Sequence, residues 1–127
     1  MQKRAGLLFL APRTGRILLI LEDSKWTVPT FKREGELLAD ATPLVQSLYG
    51  KAARILPIEL YLSEDKGFEY GTYVCLVEDE FLTQEIKTIS WANLDFLPKQ
   101  LHSGLKSTLS NSIIRSKLDT IVELNKD

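Results

Sequence analysis

The sequence predicts an α/β protein, because apolar strand-like runs are interleaved with segments of helical spacing. Residues 5–11 and 16–21 are apolar runs joined by a Pro-Arg-Thr-Gly turn, a pattern typical of a β-hairpin. Residues 55–62 and 68–77 are also strand-like, and the Asp-Lys-Gly turn between them favours a second hairpin. A further strand is predicted over residues 85–91.

Two segments carry apolar residues three and four positions apart, which predicts amphipathic helices. In residues 37–49, Thr42 is a good helix cap and Pro43 suits a first helical position, so an ordered helix is expected to begin only at Pro43. The second segment spans residues 98–124, and the Ser-Asn-Ser sequence at 110–112 suggests that it divides into two helices.

Length and composition indicate one globular domain over residues 1–127. The 16 basic and 17 acidic residues leave a formal net charge of -1, which does not suggest a broad nucleic-acid-binding surface. No apolar run approaches the ~20 residues of a membrane span, and no signal-peptide pattern is present. We therefore expect a soluble cytoplasmic protein that engages no membrane. Cys75 lies in an apolar run and is expected to be a buried thiol.

Several short motifs, taken in order, resemble the Nudix (MutT-like) hydrolase superfamily. Residues 5–9 and 14–19 resemble the opening hairpin of the family, and residues 26–29 (WTVP) resemble its W-x-L-P segment. Residues 30–36 (TFKREGE) resemble its G-G-K-x-E-x-G-E loop. Residues 89–91 and 94–98 resemble its late strand and the leucine-rich turn that follows. The resemblance implies an α/β/α sandwich with a mixed sheet and flanking helices.

The resemblance also implies a chemistry. Nudix hydrolases cleave a phosphoanhydride in a nucleoside diphosphate linked to another group, and Mg²⁺ or Mn²⁺ neutralises the pyrophosphate. Glutamates three or four positions apart on one helical face converge on the ion. An active member would therefore need Mg²⁺ or Mn²⁺ and would bind a nucleotide or a nucleotide sugar.

The Nudix box, G-x5-E-x7-R-E-U-x-E-E-x-G-U, is degenerate in this sequence. Thr30 takes the place of its first Gly and Glu36 that of its first Glu. A one-residue deletion aligns the final Gly with Gly50, and Ser47 and Leu48 then replace the two metal-binding glutamates. Leu44 falls on the Glu of the Arg-Glu pair, and without the deletion the two metal positions become Leu48 and Tyr49. The sequence thus predicts impaired metal-dependent catalysis.

Four residues are candidate ligand contacts. Lys32 and Arg33 lie where the loop of the resembled family approaches phosphates, and cations there could hold a diphosphate. Phe31, beside the box Gly position, is a candidate for stacking on a base. Tyr73 belongs to an aromatic strand segment that could line a ligand, and strand alternation places Tyr70 on the opposite face. For each of them the alternative is core packing or a solvated charge.

Two acidic residues are candidate metal contacts. Glu36 matches the first Glu of the box, and Glu34 lies in the same loop. The alternative for Glu36 is a helix-entry acid stabilised by the helix dipole, and for Glu34 a solvated charge.

Three hypotheses about function remain open from the sequence. The first is a divergent Nudix-fold protein with impaired catalysis that binds a nucleotide. The second is an active Nudix hydrolase whose Mg²⁺ or Mn²⁺ is held by unusual acids. The third is a non-catalytic protein-interaction module, with a homodimer as one form. Fold alone does not separate them, because function resides in the site.

Overall fold

The computed structural model describes residues 2–65, 67–86 and 88–126, apart from the side chains of residues 57–65 and 68. The elements in chain order are β1 (Gln2–Ala11), β2 (Arg16–Glu22), β3 (Lys25–Thr27), β4 (Thr30–Lys32), α1 (Leu37–Leu48), β5 (Arg54–Asp65), β6 (Phe68–Leu76), β7 (Ile89–Asn93), α2 (Ser103–Ser110) and α3 (Ser112–Asn125). No helix among the described residues is long and apolar enough to cross a membrane.

The strands form a mixed sheet in the order β3-β2-β1-β6-β5, with β4 pairing with β1 and β7 pairing with β2. Strands β1 and β6 are parallel, and the other pairs are antiparallel. β1 pairs with β2 at Leu10 and Ala11, whereas its Arg4–Gly6 segment pairs with β4. Strand β2 therefore diverges from β1 towards its own end, and this divergence opens a gap between the two halves of the sheet.

Each face of the sheet carries its own hydrophobic cluster, because successive side chains of a strand point to opposite faces. On one face Leu7 and Phe9 of β1 pack with the buried face of α1. On the other face Leu8 and Leu10 pack with α2 and α3. The result is the α/β/α sandwich that the resemblance implied. Cys75 is buried on the α1 face, and burial raises the pKa of its thiol to about 12.

The expected helix start at Pro43 is wrong, because α1 begins at Leu37 and contains Pro43. Proline costs a helix the hydrogen bond of its missing N–H. Next to it, the Thr42 hydroxyl donates to the carbonyl of Leu38 at 2.6 Å. Burial of the apolar face of α1 decides the start, since helices in proteins are stabilised mainly by packing.

Two other boundaries differ from expectation. The late strand covers Ile89–Asn93 and not residues 85–91. The division of the last segment is confirmed: the Asn111 side chain accepts from the N–H groups of Ile113 and Ile114, which starts α3. However, α2 begins at Ser103 and not near residue 98, because the preceding residues pair with β3: Trp26 N–H donates to the carbonyl of Gln100 at 2.7 Å.

Candidate ligand-binding cleft

A cleft of about 490 Å³ lies in the gap where β2 diverges from β1, on the face of the sheet that carries α2. This volume is within the range of small-molecule sites. The cleft has three sides, which come from β1, β4 and β6, from the β2–β3 turn, and from α2. Its lining consists of Arg4, Glu22, Asp23, Lys25, Thr27, Thr30, Tyr70, Thr72, His102, Gly104, Leu105 and Thr108.

The first wall is formed by β1, β4 and β6. Arg4 donates through Nη2 to the Thr30 hydroxyl at 2.8 Å, and this bond holds the guanidinium at the mouth of the cleft. The Tyr70 side chain crosses from β6 onto Gly6, where a Cβ would overlap its hydroxyl and stand 2.9 Å from Val28 Cγ2. Gly6 therefore makes room for the Tyr70 ring in the cleft.

The second wall is the two-residue turn between β2 and β3. Asp23 and Ser24 both have positive φ, 51° and 65°, which is a conformation that non-glycine residues rarely adopt. The turn brings Glu22, Asp23 and Lys25 to the cleft. A two-residue hairpin loop favours positive φ at both of its central residues, because that geometry matches the twist of the flanking strands.

The third side is the start of α2. The His102 Nδ1 accepts from the N–H of Gly104 at 3.2 Å and so caps the helix. A neutral His102 in this bond carries its proton on Nε2, which is then a donor for a ligand. The Thr108 hydroxyl donates to the carbonyl of Gly104 at 2.9 Å, and Leu105 supplies apolar surface.

Tyr70 lies between charges of opposite sign. Its pKa is raised, chiefly because the phenol is partly buried; the nearby Arg4 guanidinium acts to lower it and the Glu22 carboxylate to raise it further. Tyr70 is therefore a neutral phenol at physiological pH. It can present a ring face to a ligand and donate a hydrogen bond.

Two of the residues predicted as ligand contacts lie on the opposite face and bind each other. Arg33 donates through Nη1 to the Tyr73 hydroxyl at 2.9 Å, and its guanidinium lies 5.5 Å from the centre of the Tyr73 ring. Arg33 also donates to the carbonyl of Gly35 at 3.1 Å. These contacts fix the loop before α1 to the sheet.

Asp40 completes this network. Its carboxylate accepts from the N–H groups of Glu34 and Gly35 at 2.8 and 2.9 Å, and it lies 3.5 Å from Arg33 Nε. The bonds from Gly35 and Glu34, followed by the Arg33 charge, lower the pKa of Asp40. Asp40 thus anchors the loop to the first turn of α1.

The other two predicted ligand contacts, Phe31 and Lys32, lie on opposite faces of β4. Phe31 is only 8% exposed and belongs to the cluster beneath α1, so little of its ring is open to a base. Lys32 is paired with Arg4 in the strand register and therefore shares the face of the cleft. Its ammonium lies 3.5 Å from the Glu34 carboxylate, and both side chains are exposed.

The α1 positions that align with the metal-binding glutamates of the box carry no carboxylate in this chain. Leu48 is 5% exposed and packs in the α1 cluster, Leu44 packs against that cluster, and Ser47 is exposed. Glu36 is exposed at the start of α1, and its side chain makes no capping bond. Within the described ranges no three His, Cys, Asp or Glu side chains are grouped to hold an ion. Aliphatic side chains offer no oxygen to Mg²⁺, which requires oxygen ligands.

Aromatic packing closes the end of α1. Phe81, from the segment after β6, lies 4.8 Å from Tyr49 and 5.3 Å from Trp91 between ring centres. Trp91 in turn donates through Nε1 to the carbonyl of Phe81 at 2.9 Å. This packing, together with the packing of Leu44 and Leu48, makes the C-terminal end of α1 part of the core.

The sequence-based predictions missed most of the cleft. Arg4, Glu22, Tyr70 and His102 come from four separate elements and share no motif. The one local signal was Gly6, a glycine inside a buried strand, which often marks a close approach. Strand alternation also separated Tyr70 from Tyr73 correctly, but it did not show which of the two faces the cleft.

Comparisons with solved structures identify the architecture. A Nudix hydrolase from M. smegmatis is 18% identical with a TM-score of 0.71, over 94% of this chain and 87% of that one. An ADP-ribose pyrophosphatase from Streptococcus suis is 13% identical with a TM-score of 0.64, over 99% and 92% of the two chains. The E. coli dihydroneopterin triphosphate pyrophosphohydrolase is 12% identical with a TM-score of 0.58, over 94% of each.

No family model matches the sequence of this chain, and no curated protein matches it. Structural likeness at these identities is a likeness of fold. The motif order and the mixed sheet agree with that likeness: this chain has the fold of the Nudix superfamily.

Proposed function

We propose that this chain is a divergent Nudix-fold protein that binds a nucleotide or a nucleotide sugar in the cleft and is impaired in the metal-dependent hydrolysis of its fold relatives. The observation that carries the proposal is the contrast between the two sites. The cleft has an aromatic ring, a guanidinium and a histidine donor, whereas the metal positions of the box are Ser47 and Leu48.

The chemistry of the cleft supports a ligand with a base or sugar and a phosphate. Tyr70 and Leu105 offer apolar surface to a ring, and stacking of a base on an aromatic side chain contributes about 1–3 kcal/mol. Arg4 offers a planar cation suited to phosphate oxygens. Two fold relatives act, by their names, on ADP-ribose and on dihydroneopterin triphosphate, both of which join a ring system to phosphates.

The test is a thermal-shift panel of ADP-ribose, NADH, diadenosine polyphosphates and nucleoside diphosphates, run with Mg²⁺, with Mn²⁺ and with EDTA. A bound ligand raises the melting temperature by mass action. We expect at least one member of the panel to raise it equally in EDTA and in metal, with no product detected by chromatography.

Two outcomes would replace the proposal. Metal-dependent turnover that Glu36→Gln abolishes would establish the hydrolase with unusual ligands. No shift with any ligand, together with a stable dimer in solution, would favour the interaction module. Glu123→Gln on the exposed face of α3 is the matched control for loss of a carboxylate.

A further inference from the structure

The two walls of the cleft carry charges of opposite sign. The β1 wall presents Arg4, and the β2–β3 turn presents Glu22 and Asp23, with Lys25 beside them. The formal charge of the turn wall is therefore negative. Tyr70 lines the same cleft as Arg4 and Glu22.

Among the described residues no ion pair joins the two walls, although Lys25 stands opposite Glu22 in the β2–β3 register and offsets part of the negative charge of the turn. Arg4 is bonded to Thr30, a neutral hydroxyl, which leaves other N–H groups of the guanidinium for a ligand. Within the described part of the chain, no ion pair or hydrogen bond is found for the side chains of Glu22, Asp23 and Lys25. The walls are thus complementary to a ligand that is itself polarised.

We propose that the cleft binds its ligand in a single orientation, with phosphate oxygens on Arg4, the N–H or O–H donors of the base or sugar on Glu22 and Asp23, and the ring against Tyr70. The inference rests on the proposed function and adds the direction of the ligand and the residue that recognises each end. A carboxylate accepts N–H and O–H donors and repels phosphate, so the reverse orientation places like charges together.

The fold keeps the two walls apart. β4 pairs with the Arg4–Gly6 segment of β1 and occupies the side where β2 would otherwise continue. Gly6 leaves space for Tyr70 beside this pairing. A ligand can therefore span from one wall to the other across the ring.

The test takes the tightest-binding of ADP, GDP, CDP and UDP and measures its Kd by calorimetry and its bound ³¹P and ¹H NMR shifts. Arg4→Gln should weaken binding about tenfold and move the bound ³¹P signals. Glu22→Gln should weaken binding about fivefold and move the base or ribose ¹H signals, with the ³¹P signals unchanged.

Two control variants distinguish the loss of a contact with the ligand from the loss of a charge elsewhere on the protein. Lys3→Gln removes the same charge as Arg4→Gln from the neighbouring residue, which is paired with Glu69 at 3.7 Å. Glu123→Gln matches Glu22→Gln, and both controls should leave Kd within about twofold of the original protein.

The inference is overturned if the original protein binds a nucleoside diphosphate but the two variants move the opposite signals, or if neither variant changes Kd. Absence of binding by the original protein to all four diphosphates and to the thermal-shift panel is a different result, because it removes the proposed function itself. Far-ultraviolet circular dichroism and the melting temperature establish that each variant is folded before its Kd is compared.

Discussion

The two faces of the sheet differ in what occupies the space between strands and helix. On the α1 face, Leu44 and Leu48 stand where the resembled box has carboxylates, and Phe81 packs at the end of the helix. On the α2 face, strand divergence leaves a cleft lined by Arg4 and Tyr70. The sheet separates the two regions, so the proposed ligand binding in the cleft does not depend on the side chains that pack between α1 and the sheet.

The largest expected effect concerns the attempt to restore the box. Leu48→Glu places a carboxylate among apolar side chains, where it finds no partner, so we expect the free energy of unfolding to fall by about 4 kcal/mol. Ser47→Glu is exposed and should change it by no more than about 0.5 kcal/mol. Urea unfolding at neutral pH measures both, and equal stability of the two variants would show that the α1 face is not packed as described.

The second effect concerns the cleft on the α2 face of the sheet. Gly6→Ala adds a methyl group that overlaps the Tyr70 hydroxyl, so the ring must shift from its position in the cleft. We expect the affinity for the best-binding nucleoside diphosphate to fall about tenfold. Gly35→Ala is the control, since a Cβ there meets no atom within 4 Å. Calorimetry that finds equal affinity for Gly6→Ala and the original protein would place the ligand away from Tyr70.

The third effect is a pH dependence of the α1 face. The folded-state pKa of Asp40 is lowered, so its stabilisation is present above the unfolded value of 3.8 and is lost as pH falls through the lower folded value. Asp40→Asn should lower the melting temperature by a few degrees at neutral pH. The difference from the original protein should shrink below the unfolded value; a difference constant down to acid pH would contradict the role of this carboxylate. Glu123→Gln, which removes an exposed carboxylate from α3, is the control.

The smallest effect concerns the strained turn at the cleft. Ser24 has a φ of 65°, which glycine adopts without a steric cost. Ser24→Gly should therefore raise the free energy of unfolding by about 0.5–1 kcal/mol. Ser116→Gly in α3 should lower it by a similar amount, because glycine destabilises a helix. If urea unfolding finds both variants destabilised, the positive φ of Ser24 does not cost the protein stability.

Most of the fold could be predicted from the sequence, because strands that are buried on both faces consist of continuous runs of apolar residues. Residues 5–11 and 16–21 needed no tertiary information. The start of α1 failed because the rule for Pro43 is local, whereas burial of Ala41, Val45 and Leu48 is a property of the whole packing.

The candidate site was less accessible to sequence for a different reason. The loop motif directed attention to Arg33 and the aromatic strand segment to Tyr73, and the fold joins these two residues to each other on the α1 face. The cleft depends on the divergence of β2 from β1, and that divergence brings together Arg4, Glu22 and His102 over long sequence separations. No spacing rule encodes such a contact.

The central claim is tested most directly by following every backbone amide by NMR during titration with the best-binding nucleoside diphosphate, and then with Mn²⁺ alone. The account predicts ligand-induced shifts at Thr27, Thr72, Gly104 and Thr108, and no paramagnetic broadening along α1. Shifts confined to α1 and the loop before it, or Mn²⁺ broadening centred on Glu36, would contradict it.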